Sequence, residues 1–337
     1  MFSKAKAFSH IYVEEAAREH PRTHAILERF PASKVVVIDD YQNVFGRGRQ
    51  DFWKQKASPK LILAVKKDNF LYGGNELLQG NQSPNFCYNA LVLNCPYDCH
   101  YCYLQGMYAG ANMVAFVNLE DYFEVADVAC RKRRVKDTPL HLAISYDTDL
   151  LALESKLGFA REWVEWSRGR DDILIEIRTK STASKLLGAV PPAQSIRLAW
   201  TLSPDPVAQR YESGAPALAH RLKAIRKAAT AGWRISLCLD PVLKLPDSAS
   251  VYDAFTRQLG EEIPWDAVER VEVGVFRVGS TFFKRMLKRP DTDLLQYPYE
   301  HDRNAVSYNR EERQWLVDEV CKPLQNNISK EKIFIWT

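Results

Sequence analysis

The chain has 337 residues, of which 46% are hydrophobic and 26% charged, as is ordinary for a globular protein with a sizeable core. We find no low-complexity segment and no internal repeat. No apolar run reaches the roughly 18 residues of a membrane span, and the N-terminus lacks an apolar signal core, so we expect a cytoplasmic protein that does not enter a membrane. The net charge of +4 permits a polyanionic partner without requiring one.

The first segment, residues 1–88, is predicted to be an α/β extension that packs on the main domain. Apolar positions at the helical period predict a helix over 13–30. Short apolar runs bounded by charge predict strands at 34–40 and 60–67, with a polar loop or short helix between them.

The middle segment, residues 89–290, alternates strand and helix patterns. This alternation predicts a parallel sheet with helices on its faces, and about six units favour a partial or full (β/α) barrel. A Rossmann sheet is disfavoured because no G-x-G-x-x-G follows a strand. The predicted strands are 89–94, 140–145, 172–180, 195–203, 233–243 and 268–279, and the predicted helices are 119–134, 152–169 and 217–232.

The last segment, residues 291–337, is predicted to be a C-terminal extension. Its polar first half predicts a loop or hairpin, and its second half predicts one amphipathic helix. The polar and aromatic stretch 301–310 would either wedge into a nucleic acid strand or form a plain surface loop.

Polar residues follow the first four predicted barrel strands. A cysteine-rich stretch follows the first strand, and residues 146–149, 179–181 and 201–205 follow the next three. In barrels of this kind the loops after the strands carry the chemistry, so we expect these four loops to converge on one face.

The cysteine-rich stretch has the spacing C-x3-C-x2-C, formed by Cys95, Cys99 and Cys102. Thiolates are the ligands of iron–sulfur clusters, and three of them leave one iron of a [4Fe–4S] cluster without a protein ligand. Such an open iron can bind S-adenosylmethionine and pass it one electron. The remaining cysteines are scattered and predict buried reduced thiols: Cys87, Cys130, Cys238 and Cys321.

A zinc site is the alternative interpretation of the cysteine motif. It would use the three clustered cysteines with either His100 or Cys87 as the fourth ligand. Zinc knuckles usually show two C-x2-C halves separated by a loop, and this chain has one triplet and no second pair, so we favour the iron–sulfur cluster.

The stretch "CPYDCHYCYLQ" (residues 95–105) resembles the cluster motif of radical S-adenosylmethionine enzymes, and specifically of the spore photoproduct lyase family. The resemblance covers most of the chain and weakens after about residue 290. Four further stretches carry it: "IYVEEAAREHPRTHAILERF", "VNLEDYFEVAD", "RTKS" and "YESGAPALAHRLKAIRKAATAGWRI".

This resemblance implies an α/β fold with a partial (β/α)6 TIM-type barrel that holds a [4Fe–4S] cluster and S-adenosylmethionine. In the family, reductive cleavage of the cofactor gives a 5′-deoxyadenosyl radical, which abstracts hydrogen from a cross-linked thymine lesion. The cross-link then breaks, and a cysteine returns a hydrogen atom. The implied partners are damaged DNA and a one-electron donor such as flavodoxin or ferredoxin, and we expect a monomer.

The resemblance also implies roles for individual residues. Lys180 matches a lysine that contacts the cofactor, and Thr148 and Thr201 fall where the family has serines near it. Tyr101 and Tyr103 match two tyrosines beside the cluster, the second of which is placed to relay a hydrogen atom. The cluster ligands are matched by Cys95, Cys99 and Cys102.

The chain departs from the family at the hydrogen donor. The family has a pattern like A-C-T-S-D-P after the second strand, whereas this chain reads "AISYDTDLL". Asp149 lines up with the aspartate, and Tyr146 takes the place of the cysteine. Either Tyr146 and Tyr103 quench the product radical, or the reaction is a different one, or Tyr146 packs the barrel mouth.

Three hypotheses for the function follow. The first is repair or modification of a thymine-type lesion in DNA, whose bases must leave the stack to reach a barrel pocket. The second is the same radical chemistry on RNA, a nucleoside or another small substrate. The third is a zinc-containing nucleic-acid-binding protein without enzymatic activity.

Overall fold

The structure is a computed structural model that describes residues 8–74, 83–302 and 304–336. In these ranges the strands are β1 His10–Glu14, β2 Lys34–Ile38, β3 Leu61–Ala64, β4 Tyr72–Gly73, β5 Phe86–Tyr88, β6 Val92–Leu93, β7 Asp98–Cys99, β8 Met113–Phe116, β9 Leu140–Ala143, β10 Ile173–Thr179, β11 Ile196–Thr201, β12 Glu212–Ser213, β13 Arg234–Val242, β14 Val268–Val275, β15 Arg277–Gly279, β16 Glu300–Asp302, β17 Ala305–Ser307 and β18 Ile333–Trp336.

The helices of the described ranges lie between these strands. They are α1 Pro21–Leu27, α2 Gln42–Phe45, α3 Phe52–Lys56, α4 Leu104–Met107, α5 Leu119–Lys132, α6 Glu154–Leu157, α7 Phe159–Ser167, α8 Ser184–Leu187, α9 Asp205–Tyr211, α10 Leu218–Thr230, α11 Ser248–Glu262, α12 Ser280–Met286 and α13 Arg310–Leu324. None of these helices is both long and apolar enough to cross a bilayer.

The largest sheet has the strand order β18-β14-β13-β11-β10-β9-β5-β4. Within it the six strands β5, β9, β10, β11, β13 and β14 pair in parallel, each with the next in this order. Strand β11 is buried at every position, as expected for a parallel strand covered on both faces. Helices connect the successive parallel strands, so the prediction of an α/β fold with a partial (β/α)6 barrel is confirmed.

The first barrel strand differs from its predicted position. It is β5, residues 86–88, and not the apolar run at 89–94. Part of that run forms β6, which leaves the barrel and pairs antiparallel with β8 in a second sheet. The prediction was wrong because both segments are short, and the more apolar one buries its side chains in the neighbouring sheet.

This second sheet has the order β2-β1-β3-β8-β6. Its strands β1, β2 and β3 are parallel, and strands from the middle segment complete it, so strand pairing crosses the boundary drawn after residue 88. The helix predicted over 13–30 is wrong at its start, because residues 10–14 form β1. The helix proper is α1, which begins at Pro21, a residue whose fixed φ suits the first helical turn.

The C-terminal segment contains the predicted hairpin and helix. Strands β16 and β17 form an antiparallel hairpin, which β15 extends to three strands. Asn309 caps α13 by accepting a hydrogen bond from the Glu312 N–H at 2.9 Å. The sequence did not reveal β18, which pairs in parallel with β14 at the edge of the barrel sheet. The tail therefore contributes a strand to the barrel sheet itself.

Candidate active site

A cavity of about 270 Å³ lies at the C-terminal ends of the barrel strands. Ala143, Thr179 and Thr201, the last residues of three parallel strands, are part of its wall. The expected convergence of the loops on one face is thus what the structure shows. All nine residues singled out from the sequence line this cavity: Cys95, Cys99, Cys102, Tyr101, Tyr103, Tyr146, Thr148, Lys180 and Thr201.

The loop that carries the three cysteines is held by contacts from four other parts of the chain. Arg289 donates two hydrogen bonds of 2.9 Å to the Asp98 carboxylate. The Lys56 ammonium donates to the Cys95 carbonyl oxygen at 2.5 Å, and the His100 N–H donates to the Tyr211 carbonyl oxygen at 2.8 Å. Strand β7, which contains Cys99, pairs antiparallel with β12. The thiols therefore sit in a loop whose backbone is fixed before any ligand binds.

The three cysteines form no disulfide bond; Cys99 is buried, and Cys95 and Cys102 are half-buried. Burial raises the pKa of Cys95 and Cys99 to about 12 and that of Cys102 to about 11. Iron or another metal ion binds the thiolate, so metal binding here would release the protons.

The arrangement of ligands bears on the zinc alternative. Among the described residues, no three His, Cys, Asp or Glu side chains are grouped closely enough to hold a single ion. Cys87, one proposed fourth ligand, lies on β5 and is not part of the cavity wall, and His100 packs edge-on against Tyr211. Three thiols that line one cavity match the three protein ligands of a cluster with one open iron.

Asp149 connects the loops after β9 and β10. Its carboxylate accepts hydrogen bonds from the Lys180 N–H at 2.6 Å, the Thr179 hydroxyl at 2.7 Å and the Ala152 N–H at 3.0 Å. Burial raises the pKa of Asp149 in spite of these bonds. The effect of the arrangement is to fix the backbone of Lys180 at the cavity wall.

The Lys180 ammonium lies 5.4 Å from the centre of the Tyr101 ring. Burial lowers the pKa of Lys180, but the nearby Cys99 and Glu212 outweigh this effect, so the pKa is raised. A charged ammonium is thereby maintained in the cavity. Such a group suits a carboxylate or a ribose oxygen of a ligand.

A buried ion pair beneath the cysteine loop was not predicted from the sequence. Arg221 and Glu212 are bonded to each other, and both side chains are fully buried. Glu212 also accepts hydrogen bonds from the Tyr101 hydroxyl and, at 2.9 Å, from Ser203. Arg221 donates to the Thr201 carbonyl oxygen at 3.1 Å. The pair thus fixes Tyr101 and Thr201, and only the position of Arg221 on the apolar face of α10 could have revealed it.

The two threonines predicted to lie near the cofactor, Thr148 and Thr201, differ in their surroundings. The Thr148 hydroxyl is buried and has no hydrogen-bond partner among the described residues. An unpaired hydroxyl beside a cavity is a ready contact for a ligand, because leaving it unpaired is unfavourable. Thr201 ends β11, opposite Cys238 on β13.

Tyr146 stands in an aromatic group on the other side of the cavity. Its ring centre lies 4.5 Å from that of Tyr88 and 6.5 Å from that of Tyr103. The Tyr103 hydroxyl is 2.9 Å from the Tyr146 carbonyl oxygen and 3.1 Å from the Asp147 carboxylate. Burial raises the pKa of Tyr146, so its phenol keeps its proton at neutral pH.

Charged residues of the barrel interior complete this side of the cavity. Arg178 donates to Glu272 at 2.6 Å and to Glu176 at 3.0 Å. Arg277 faces Asp240 at 3.6 Å. These residues were not predicted from the sequence. The polar residues Glu176 and Arg178 within the apolar strand "ILIEIRT" were nevertheless a visible signal for the Arg178 contacts.

Comparison with known proteins gives a consistent result. The spore photoproduct lyase of Bacillus subtilis (strain 168) is 22% identical over 240 residues, which is 69% of this chain and 67% of that protein. A cysteine-to-alanine mutant of spore photoproduct lyase superposes with a TM-score of 0.81 at 19% identity, over 98% of this chain and 99% of that one. A double mutant with bound AdoMet and dinucleoside spore photoproduct gives 0.77 at 20% identity, over the same shares.

At such identities the structural matches establish the fold, and the family model carries the assignment further. The model described as spore photoproduct lyase matches residues 7–290, which include the three cysteines, Lys180 and Tyr146. This chain therefore belongs to the spore photoproduct lyase family.

Proposed function

We propose that this chain is a radical S-adenosylmethionine lyase that reverses a thymine-type photolesion in DNA. The observation that carries the proposal is the single cavity shared by the three motif cysteines, Lys180 and Tyr146. Its relatives are spore photoproduct lyases, and a solved one binds AdoMet together with dinucleoside spore photoproduct. This favours lesion repair over radical chemistry on another substrate and over the zinc protein.

The cavity residues fit the cofactors of such an enzyme. Cys95, Cys99 and Cys102 would hold a [4Fe–4S] cluster with one iron open to S-adenosylmethionine. When bound, this pair of cofactors supplies a 5′-deoxyadenosyl radical that abstracts a hydrogen atom from the substrate. The protein contributes orientation and exclusion of water.

Four residues are assigned to the S-adenosylmethionine side of the cavity. Lys180 would contact the carboxylate or the ribose of the cofactor through its ammonium. Thr148 and Thr201 would offer hydroxyl groups, of which that of Thr148 has no protein partner in the described part of the chain. Tyr101, held by Glu212, would line the space beside the cofactors.

Tyr146 is assigned the role of hydrogen donor. Its O–H group would give one hydrogen atom to the product radical, which leaves a phenoxyl radical on Tyr146. The Tyr103 hydroxyl bonds to the Tyr146 carbonyl oxygen. Tyr103 is therefore placed to give a hydrogen atom to the phenoxyl radical of Tyr146 in turn. Burial keeps both phenols protonated, as donation of a hydrogen atom requires.

The remaining partners follow from the reaction. The substrate would be damaged DNA whose lesion leaves the stack, which is easiest for a base that is already damaged. Cleavage of the cofactor needs one electron from outside the chain, and a flavodoxin or ferredoxin meets that requirement. We propose that the chain acts as a cytoplasmic monomer. Strand β17 pairs with β15, whose first residue Arg277 lines the cavity, and β16 pairs with β17. The described part of stretch 301–310 remains the proposed DNA wedge.

The direct test is an assay on the lesion itself. The protein is reconstituted with iron and sulfide without oxygen, reduced, and mixed with S-adenosylmethionine and dinucleoside spore photoproduct. We expect thymidine and 5′-deoxyadenosine to form, and chromatography measures both. Formation of 5′-deoxyadenosine with the lesion left intact would overturn the substrate assignment while preserving the radical chemistry.

A further inference from the structure

Asp240 and Arg277 form a charged pair on the Tyr146 side of the cavity. Asp240 lies on β13, and Arg277 begins β15 directly after β14. The Arg277 Nη2 atom is 3.6 Å from the Asp240 Oδ2 atom, and the side chains are only 13% and 14% exposed. Both residues line the cavity. The pair therefore presents hydrogen-bond donors and an acceptor side by side in a largely enclosed space.

Gly274 makes room for this pair. A Cβ atom at Gly274 would lie 2.8 Å from the Arg277 Nη1 atom and 2.9 Å from the Asp240 Cγ atom. Real Cβ contacts are not that short, so only glycine allows both side chains to take these positions. A glycine inside a buried strand otherwise weakens it, and in such a strand it often marks a close approach.

Arg277 has donors to spare, unlike its neighbour Arg178. Arg178 is bonded to two glutamates, at 2.6 and 3.0 Å. Arg277 makes one long hydrogen bond of 3.4 Å to the Val275 carbonyl oxygen, besides the wide pair with Asp240. Among the described residues its guanidinium has no further bond, although it carries five N–H donors. The free donors are available to a ligand in the cavity.

The pair is also close to the proposed hydrogen donor. Tyr146, Asp240 and Arg277 all line the same cavity of about 270 Å³. A group bound by Asp240 and Arg277 would thus share this cavity with Tyr146. In the proposed function this is the place of the substrate.

A thymine ring has a matching edge. Its imide carries an N3–H donor flanked by two carbonyl acceptors, and enzymes that extract a base read this edge by hydrogen bonds. A carboxylate accepts from N–H, and a guanidinium donates to a carbonyl oxygen. We propose that Asp240 accepts from the N3–H of one thymine ring of the lesion while Arg277 donates to the adjacent carbonyl oxygen. This inference rests on the proposed function and adds the means by which the base is recognised.

The test is an equilibrium titration, which needs no turnover. Dinucleoside spore photoproduct is titrated into the reconstituted wild type, followed by the analogue methylated at N3 of each ring. We expect methylation of the recognised ring to weaken binding about 10-fold to 100-fold, the range found for loss of a good bidentate base contact. Equal affinity for the parent lesion and both analogues would overturn the inference.

Variants locate the effect. We expect Arg277→Met and Asp240→Leu each to weaken binding of the parent lesion about 10-fold or more, because each removes a hydrogen bond to a desolvated partner. In Asp240→Leu, methylation at N3 should add little further loss, since the acceptor that faces N3–H is already gone. Full additivity of the two changes would assign the recognition to other residues.

A matched pair on the surface serves as the control. Arg257 and Asp253 on α11 are bonded to each other, with side chains 68% and 60% exposed. Arg257→Met and Asp253→Leu should leave lesion binding unchanged; a loss equal to that of the cavity variants would make the effect one of net charge and overturn the inference. Wild type that binds the lesion with N3 selectivity but does not cleave it would support the inference and contradict the proposed function.

Discussion

The two sides of the cavity differ in how closely they follow the family. On the side proposed to bind the cofactors, the motif cysteines and Lys180 line the cavity, and Asp149 and the Arg221–Glu212 pair hold the surrounding backbone and side chains. On the side proposed to bind the substrate, Tyr146 stands where the resemblance predicts a cysteine. In the proposed function, the formation of the radical and its quenching are therefore separable properties, set by different residues of the same cavity.

The largest expected effect is on the cofactor side. We expect Cys99→Ala to abolish formation of 5′-deoxyadenosine, because a cluster with two protein ligands is not held in place. The measurement is 5′-deoxyadenosine by chromatography after anaerobic reconstitution. Cys321→Ala, which changes a buried cysteine of α13, is the matched control and should retain cluster and activity. Activity at the parent rate in Cys99→Ala would rule out the cluster assignment.

The next largest effect concerns the buried Arg221–Glu212 pair beneath the cysteine loop. Arg221→Met leaves the fully buried Glu212 without its partner, and removing one member of a buried pair destabilises by about 3–5 kcal/mol. We expect denaturant unfolding to show a loss of this size. Adding Glu212→Leu should recover most of it, since an apolar pair avoids the unpaired charge. A single variant as stable as the parent would mean that the pair does not fix the cysteine loop.

A third prediction tests whether quenching can be lost while formation of the radical continues. Tyr146→Phe removes the O–H group that we assign to quenching. We expect a large fall in thymidine yield while 5′-deoxyadenosine continues to form, because the product radical then lacks its hydrogen donor. Tyr146→Cys should restore the yield, because a thiol donates a hydrogen atom quickly. Equal yields in the parent and Tyr146→Phe would leave Tyr146 as a packing residue.

The smallest effect concerns cofactor binding. Lys180→Ala removes one charge-assisted contact, which is worth about 1.5–3 kcal/mol, so we expect S-adenosylmethionine to bind about 10-fold to 100-fold more weakly. Isothermal titration of the reconstituted protein measures the affinity. Lys185→Ala, an exposed lysine of the following helix α8, should bind as the parent does. Unchanged affinity in Lys180→Ala would remove Lys180 from the site.

Much of the fold was predictable because its signals are local. The parallel strands of the barrel are long apolar runs bounded by charge, and they were found with small shifts in their ends. Strand β1 was missed because the helical period of the following residues extends into it. Strand β5 was missed because it is three residues long and lies beside a more apolar run. Strand β18 was missed because its place in the sheet depends on pairing with β14, which is distant in sequence.

The residues of the site also fall into those that the sequence predicts and those that it does not. The cysteines and Lys180 lie in short motifs, so spacing and resemblance identified them and the structure brings them to one cavity. The Glu212–Arg221 pair and the Asp240–Arg277 pair join residues that are distant in sequence, and no local pattern marks either one. Their roles become visible only when the barrel places them together.

The central claim is that three thiolates hold a cluster with one iron open to S-adenosylmethionine. Its most direct test is the iron, acid-labile sulfide and zinc content of protein prepared without oxygen, measured together with electron paramagnetic resonance of the reduced protein before and after addition of S-adenosylmethionine. We predict about four irons and four sulfides per chain, the content of one cubane cluster, and a spectrum that changes when the cofactor is added. Stoichiometric zinc without iron or sulfide would contradict the account.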